Sequence, residues 1–509
     1  MANTWNQKRA AEHIDKKLAD VKTVSVVDLT RDTSLERIPV SKAYRTNGVH
    51  IYADILNLDD MLGVTGDEGV TCHKRTLRFL NLHYRAVQRV LDRSDAKRVD
   101  FHNQRLHAIV LKPYDGVESS EAARIHRSIA IAQLVIDVLA ETGDDDEHIP
   151  NAQVRVGIDS GEALAVNNGR RGGREPLFLG DPANHAAKLS GAARKTGIYL
   201  TNKARTAIGL AEAAVPKSTP LTTAEIEASQ GEADLDVSKD EIVEEWRYDL
   251  NQNPIGAFQF SRHTPPLRTM DVTALTPGNS LRQEAVSVYA DIDGFTDFIT
   301  ERIADDAETI VRTFHVLRAE LDRVLTCEFD GRRIRFIGDC LHGLLCEGTA
   351  HTTDESETVS TATLCTGALR SSFELALMKL ADEGIDAAEL GLAIGFELGP
   401  MTVTRLGLHG DRVRCSVSRG VLAGEDEQRR CDGTESAIGA IAYDAATDAV
   451  RRMFGKERKK AGLDFNEAVE GMADDGDEVA KAAKREAFIA APPAVARAAD
   501  RMIRPYTRA

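Results

Sequence analysis

Two aspartates carry the most chemistry in this sequence. Asp291 closes the run VSVYAD and is followed at once by IDGFTDF, a glycine turn opening into a helix-like stretch. Asp339 lies in FIGDC, where the preceding glycine permits a tight turn between two strand-like runs. Hard divalent cations take oxygen ligands, and a pair of Mg2+ or Mn2+ ions needs two close carboxylates. The first amides of a helix have no intrahelical acceptor and can hold phosphate oxygens. If the two strands are neighbours, both carboxylates project from one sheet edge beside a phosphate-holding turn. Taken singly, Asp291 also reads as a helix cap and Asp339 as a turn residue.

The pattern occurs twice, which defines the elements that must position it. VHIYADILNLDDML at 49–62 aligns without gaps with VSVYADIDGFTDFI at 286–299. RVDFHNQRLHAIV at 98–110 aligns with RIRFIGDCLHGLL at 333–345, and QVRVGIDSGEALAV at 153–166 with ELGLAIGFELGPMTV at 389–403. From the first Asp to the middle of the second motif is 50 residues in one half and 48 in the other. Three ordered pairs at near-equal spacing mark a tandem duplication. Each half reads as a strand, a helix (75–92, 305–325), two alternating runs about a short turn (97–111, 332–346), an amphipathic helix (120–141, 358–383), a strand and a closing αβ piece. Alternating helices and strands predict an α/β (α+β) domain in each half. The expected organisation is an N-terminal segment at 1–44, a domain at 45–210, an acidic, Pro-rich linker at 211–283, a second domain at 284–447, and an Ala-, Lys- and Arg-rich helical tail at 448–509 interrupted at Pro492–Pro493.

The 509 residues carry 64 Lys plus Arg against 80 Asp plus Glu, a formal net charge of −16. Apolar residues at 42% and charged residues at 28% exclude a disordered or fibrous chain. The acidity argues against a nucleic-acid coat or a membrane-surface binder, so an anionic ligand needs a local device: a metal, a helix N-terminus or a few placed cations. Seven scattered cysteines without a CxxC pair argue against a disulfide framework or a zinc ribbon, and for a reducing compartment. The N-terminus has no apolar signal-peptide core. The most apolar helix-like stretch, 128–140, is too short to span a bilayer, carries Gln133 and Asp137, and reads as core. The expectation is a cytoplasmic protein with no nucleic-acid or membrane partner.

YADIDGFT, FIGDC and VGIDSG with LGDPANHAAKL together resemble the class III nucleotidyl cyclase homology domain, across both halves of the chain. The family fold is a ferredoxin-like α/β domain, and catalysis occurs where two such domains meet. The resemblance implies two tandem cyclase homology domains forming an intramolecular pseudo-heterodimer. It implies two divalent ions, Mn2+ or Mg2+, held by Asp291, the carbonyl of Ile292 and Asp339. The opposite domain supplies an Asn and a cation, which fall on Asn184 and Lys188; the family more usually has Arg at the second position. Backbone amides of Gly294, Phe295 and Thr296 are implied to hold the phosphates. The departures are complementary. In the first half Gln104 replaces the second metal Asp and Asn103 the glycine before it, so Asp54 stands alone. In the second half VRCSVSRG is matched with ANHAAKLS, so Arg414 and Ser418 replace the Asn and the cation. One composite is therefore complete, Asp291 and Asp339 facing Asn184 and Lys188. The other, Asp54, Gln104, Arg414 and Ser418, is expected to be inactive.

The base pocket is expected in the half that carries Asn184. In purine cyclases of the family a Lys or Glu stands four residues before the second metal position; here that is Asp100. A second base contact, seven before the Asn, falls on Leu177, which makes no side-chain hydrogen bond. Tyr52, two before Asp54, falls at the pocket wall, and equally reads as an ordinary strand aromatic. A narrowed pocket with one short carboxylate resembles the pyrimidine cyclases of bacterial antiphage defence (Pycsar) more than the purine enzymes. An ionised carboxylate only accepts. Uracil offers N3–H and cytosine an N4 amino group, but cytosine N3 would meet the carboxylate lone pair to lone pair. UTP is therefore favoured over CTP, with GTP the best purine; cytidylate, guanylate and adenylate cyclases are the alternatives. The resemblance further implies a second-messenger synthase acting through a separate effector protein, and leaves open whether tandem chains dimerise. Two other classes stand beside it: a catalytically silent nucleotide sensor, and a ferredoxin-like RNA-binding module, against which the acidic charge and the lack of an aromatic RNP-type strand count. GRRGGR at 169–174 reads as a solvated hairpin tip or an RNA or triphosphate contact. His107 and His342 occupy matching positions with no partner at ligand spacing and read as core histidines.

Overall fold

The computed structural model describes residues 4–63, 66–115, 119–145, 147–168, 176–408, 410 and 412–490. The GRRGGR segment and Pro492–Pro493 lie outside the described residues. In the first half, β1 (Ser25–Asp28), β2 (Lys42–Ile55), β3 (Lys97–His102), β4 (Arg105–Val110), β5 (Val154–Val166), β6 (Leu177–Leu179) and β7 (Gly197–Leu200) form one sheet. In the second, β8 (Phe260–Ser261), β9 (Ser280–Asp293), β10 (Arg332–Ile337), β11 (Cys340–Leu345), β12 (Gly391–Leu406), β13 (Val413–Val417), β14 (Glu435–Ile438) and β15 (Lys459–Ala461) form another. The central orders, β3-β4-β2-β5 and β10-β11-β9-β12, are the same, and both are ferredoxin-like. The additions match too. A short parallel strand flanks the start of β2 or β9, an antiparallel one the end of β5 or β12, and a parallel one their beginning.

The helices are α1 (Gln7–Asp20), α2 (Leu58–Gly63), α3 (Val70–Arg93), α4 (Ser120–Leu139), α5 (Asp181–Ser190), α6 (Asn202–Ala207), α7 (Thr223–Ala233), α8 (Lys239–Gln252), α9 (Phe295–Arg302), α10 (Ala307–Arg323), α11 (Glu355–Asp382), α12 (Arg419–Arg429), α13 (Ala440–Ala445), α14 (Asp448–Phe454), α15 (Phe465–Asp474) and α16 (Glu478–Ala490). Apolar spacing of three and four buries one stripe of α3, through Leu77, Leu80, Tyr84, Val87 and Leu91. Ile310, Phe314, Leu317 and Leu321 do the same on α10. None of the described helices is long and apolar enough to cross a membrane.

Three segments differ from a plain reading of composition. The acidic stretch after 211 folds into α7 and α8, because Thr222–Glu225 and Ser238–Glu241 are full capping boxes. Both helices dock on the first half, where buried Trp246 donates to the Leu82 carbonyl at 3.1 Å. The segment after 447, expected as a helical tail, adds β15 to the edge of the second sheet. The N-terminal α1 packs on α10 and α11 of the second half, with His13 Nδ1 2.7 Å from Glu320.

The two halves interlock reciprocally. Leu164, Val166, Leu177 and Leu179 of β5 and β6 sit in the second half's core, and Leu406, Val413, Cys415 and Val417 of β12 and β13 in the first half's. A fully buried aliphatic side chain contributes roughly 1.5–3 kcal/mol, against about 0.2–1 kcal/mol for an exposed ion pair. Apolar exchange, rather than surface charge, therefore holds the halves about their pseudo-twofold axis and fixes the cleft between them.

Candidate active site

The carboxylates come together as the turn chemistry requires. β11 runs antiparallel to β9 with Leu341 opposite Ala290, so the turn before Cys340 reaches the end of β9 where Asp291 stands. Gly338 has φ +61° in that two-residue turn, and Asn103, at φ +47°, makes the same turn in the first half. Asp291 and Asp339 are held above the usual carboxylate range. Burial and then the Asp293 charge push Asp291 up to about 6. Burial and then the Asp291 charge raise Asp339, although hydrogen bonds from its own backbone and that of Ile292, and the Arg318 guanidinium, pull the other way. Among the described residues neither forms an ion pair; Gln428 Nε2 donates to Asp291 Oδ2 at 3.5 Å. Glycine 294 N-caps α9, and Phe298 is the first amide to bond back, to the Gly294 carbonyl at 3.0 Å. The preceding amides of Phe295 and Thr296 therefore have no acceptor within the helix.

The opposite wall comes from α5. A Cβ on Gly157 of β5 would lie 2.1 Å from the Ala186 carbonyl, so only glycine lets the helix lie this close to the strand. Ala183, Ala186 and Leu189 face β5, and Asn184 and Lys188, one turn apart, share another face. Asn184 Nδ2 donates to Thr296 Oγ1 across the two halves at 2.8 Å. Lys188 is exposed and has no carboxylate partner among the described residues. Tyr52, Asp100, Asn184, Lys188, Asp291, Ile292, Gly294, Phe295, Thr296 and Asp339 all line one cavity of about 820 Å3 between the halves. A second cavity, of about 770 Å3, lies under α1, but it holds none of these residues and its Arg9, Arg268, Arg323 and Arg333 are ion-paired.

No protein-family model matches the chain. A curated protein of Pseudomonas aeruginosa named uridylate cyclase is 60% identical over 508 residues, 100% of this chain and 99% of its own length. A uridylate cyclase of a Rhizobium species is 39% identical over 434 residues, 82% of each chain. The crystal structure of a class III adenylyl cyclase-like ATP-binding protein from Pseudomonas aeruginosa superposes with a TM-score of 0.92 at 61% identity, over 93% of this chain and 100% of that one. The chain belongs to the class III nucleotidyl cyclases.

The second composite of this cyclase is closed. Arg105 of β4, at the position matching Cys340, reaches Asp54 at 3.3 Å and Glu425 of α12 at 2.7 Å. Burial alone would raise Glu425, but the His102 imidazole, 3.9 Å away, and the Arg105 charge hold it well below the usual range. Burial raises Asp54 against the pull of Arg105. Gln104 and Asp54 line a pocket of about 160 Å3. The expected match of Arg414 and Ser418 to Asn184 and Lys188 is corrected by the structure. Arg414 lies on β13, where its Nη1 donates to the Ile334 carbonyl at 3.3 Å, and Ser418 is the N-cap of α12. Counted from the helix caps, Gly180 and Ser418, the residues on α12 that match Asn184 and Lys188 are Leu422 and Asp426. A Cβ on Gly395 would meet the Gln428 amide at 2.0 Å, as one on Gly157 meets Ser190, which confirms that register. The second half lacks the Asn and the cation all the same.

Tyr52, Asp100 and Leu177, expected at the base pocket, line this same cavity between the halves. Tyr52 is stacked on His107, ring centroids 4.2 Å apart, as Tyr289 is on His342 at 4.4 Å. Burial raises the Tyr52 hydroxyl, and the Asp100 charge adds to this. His107 and His342 are buried and hydrogen-bonded, to His50 at 2.9 Å and Ser287 at 3.1 Å; burial lowers both. The sequence reading did not pick out Arg105, Glu425 or Gln428. Arg105 and Glu425 meet across the interface, while Gln428 reaches Asp291 within the second half; for α12 the usable signal was Ser418 followed by a helix-forming run.

Proposed function

We propose that this cyclase converts UTP to 3′,5′-cyclic UMP and pyrophosphate. The reading rests on one observation: the raised carboxylates of one half and the Asn184–Lys188 face of the other border the same cavity, while the mirror composite is closed by Arg105. The 3′-hydroxyl attacks the α-phosphorus in line with the leaving pyrophosphate; the O3′–P bond forms, the bond to the bridging α–β oxygen breaks, and the hydroxyl proton is released. Catalysis is then alignment plus stabilisation of charge on the transferring phosphoryl.

The donor set fits divalent cations. Asp291 and Asp339 repel each other and are held short of full ionisation by burial, a conflict that hard dications relieve. Two Mn2+ or Mg2+ ions, held by Asp291, Asp339 and the Ile292 carbonyl, would supply a lowered 3′-hydroxyl pKa and neutralisation of the triphosphate. The amides of Phe295 and Thr296 take phosphate oxygens. Asn184 orients the ribose, and Lys188 meets charge developing on the phosphoryl group as a point charge, without the forked grip of an arginine. Tyr52 narrows the base wall. Asp100 accepts from uracil N3–H and meets cytosine N3 unfavourably, in keeping with two relatives named uridylate cyclase.

Pyrophosphate release and cyclic product, measured with Mn2+ and each of the four triphosphates, test the reading. UTP should give the highest kcat/KM, with GTP the best purine. A product made from ATP alone would overturn the base assignment and favour an adenylate cyclase, a reading that rests on the crystallographic neighbour described as ATP-binding. Tight UTP binding without pyrophosphate would favour a silent sensor. The Pycsar resemblance extends the proposal: cytoplasmic cyclic UMP signals phage infection to a separate effector protein. Loss of phage protection in cells expressing Asp339→Asn instead of the native chain checks that extension.

A further inference from the structure

Asp100 and Arg335 occupy the same position of the internal repeat. In RVDFHNQ and RIRFIGD each lies four residues before the second metal position, Gln104 or Asp339. The strands agree: Asp100 pairs with His107 and Arg335 with His342, and a β-bulge falls just before each, between Arg98 and Asp100 and between Arg333 and Arg335. Bulges re-aim side chains, and here both matched residues meet across the pseudo-twofold axis. Arg335 Nη1 lies 3.4 Å from Asp100 Oδ1 and also donates to the Phe101 carbonyl. Arg335 is 3% exposed and is not itself in the cavity wall, whereas Asp100 is.

The geometry points to Arg335 as a positioning residue for base choice: the metal-donating half reaches over to hold the Asp100 carboxylate as a pure, oriented acceptor toward the base edge. This deepens the proposed function and rests on it for the identity of the base. A carboxylate backed by a guanidinium accepts and does not donate, so it selects an imide N–H and rejects a ring nitrogen lone pair. With the cation removed, a carboxyl in this sheltered wall takes up a proton and can donate to cytosine N3. Both halves would then share the base site, as they share the phosphate site.

The test is a double-mutant cycle on the full chain with Arg335→Met, Asp100→Asn and the pair, read two ways: the UTP-to-CTP ratio of kcat/KM, and the same ratio of association constants (1/Kd) by calorimetry with Mn2+ present. Arg335→Met should lower both ratios by about ten-fold or more, mostly through UTP affinity with kcat little changed. Asp100→Asn should do the same, and the pair should be no worse than Asp100→Asn alone, because Arg335 acts through Asp100. Arg335→Lys keeps the charge without the fork, is expected to fall between, and serves where Arg335→Met fails to fold. Unchanged ratios in Arg335→Met, or in Arg335→Lys where that stands in for it, would overturn the inference and leave cyclisation of UTP standing. So would an Arg335 effect that persists at full size in the Asp100→Asn background. A native chain that binds UTP over CTP without turnover, with a preference that collapses in Arg335→Met, would support the inference while refuting the cyclase assignment.

Discussion

Replacing Asp291 by Asn should stabilise the metal-free protein while abolishing cyclisation, and both effects have one cause. Burial, and then Asp293, push the Asp291 carboxyl from the ordinary 3.8 up to about 6. A displacement of that size corresponds to roughly 3 kcal/mol of folding free energy held against the ionised group at pH 8. The carboxyl keeps a partly open edge on the cavity, so about 1–2 kcal/mol is the expected net effect after screening. The sign follows from linkage. The folded state binds this proton more tightly than the unfolded chain, so its contribution is fully present below about pH 4 and is lost as pH rises through about 6. The isosteric amide has no proton to lose, and it also relieves Asp339, which the Asp291 charge raises. Melting in EDTA should therefore place Asp291→Asn roughly 2–8 °C above the native protein at pH 8, at about 2–4 °C per kcal/mol for a domain of this size. The gain should shrink by about half at pH 5. Adding Mn2+ should raise the native melting temperature and leave the variant unmoved. A variant no more stable than the native chain in EDTA at pH 8, or a gain of equal size at pH 5 and pH 8, would refute the reasoning.

Asn184→Ala and Lys188→Ala should each lower kcat by roughly a hundred-fold with KM changed little, since both groups act mainly in the transition state; a pure affinity defect at normal maximal rate would contradict their roles. Asp54→Asn should leave Mn2+ dependence and kcat near native, because Asp54 is engaged by Arg105, and should not lower stability at pH 8 in urea melts, because burial holds its carboxyl above the ordinary range and Arg105 keeps Glu425. If Asp54→Asn stops turnover while Asp291→Asn does not, the donor halves are inverted. The Asp159 hydrogen bond raises the His185 imidazole on α5, at 2.9 Å, so its stabilising contribution is present below the ordinary histidine value and lost as pH rises through the raised one. Native and His185→Gln chains should differ in melting temperature at pH 5.5 and converge above pH 8; a difference that grows with pH counts against the assignment.

How much of this was legible in the sequence depended on range. The strand–turn–strand units were, because a period-two pattern closing on Gly338 or Asn103 encodes both the register and the placement of Asp339 beside Asp291. The repeat then carried the same frame onto the first half. The start of α12 was misplaced because VRCSV alternates as a strand while the match to ANHAAKLS treats it as helix; Ser418, a serviceable N-cap, marked the true boundary. The capping boxes at Thr222 and Ser238 were also present, but the acidic composition around them read as a linker with some packed pieces. Arg105–Glu425 and Asp100–Arg335 could not be read locally. Each joins residues more than two hundred positions apart, and only the packing of the halves brings them together.

The two composites are physical opposites built on one frame. In the first half, the residue after the turn is Arg105, which compensates Asp54 and draws in Glu425 from the facing helix. In the second half the same position is Cys340, whose buried thiol carries no charge, so the Asp291 charge raises Asp339 with no ion-paired cation for either among the described residues. A protein gains stability by filling such a site with a cation of its own, and loses the capacity to bind one from solution. Duplication lets the chain do both at once. The mirror composite is locked by an internal ion triad that helps hold the halves in register. The other, on the proposed reading, keeps an unfavourable charge pair for exogenous cations and an anionic substrate to relieve together. On that account a Cys340→Arg substitution should act as the mirror composite does: it should raise metal-free stability, as Asp291→Asn does, and extinguish turnover without touching either predicted ligand. A Cys340→Arg chain that still turned over with native dependence on Mn2+ would show that the empty charge pair is not what the catalytic half preserves.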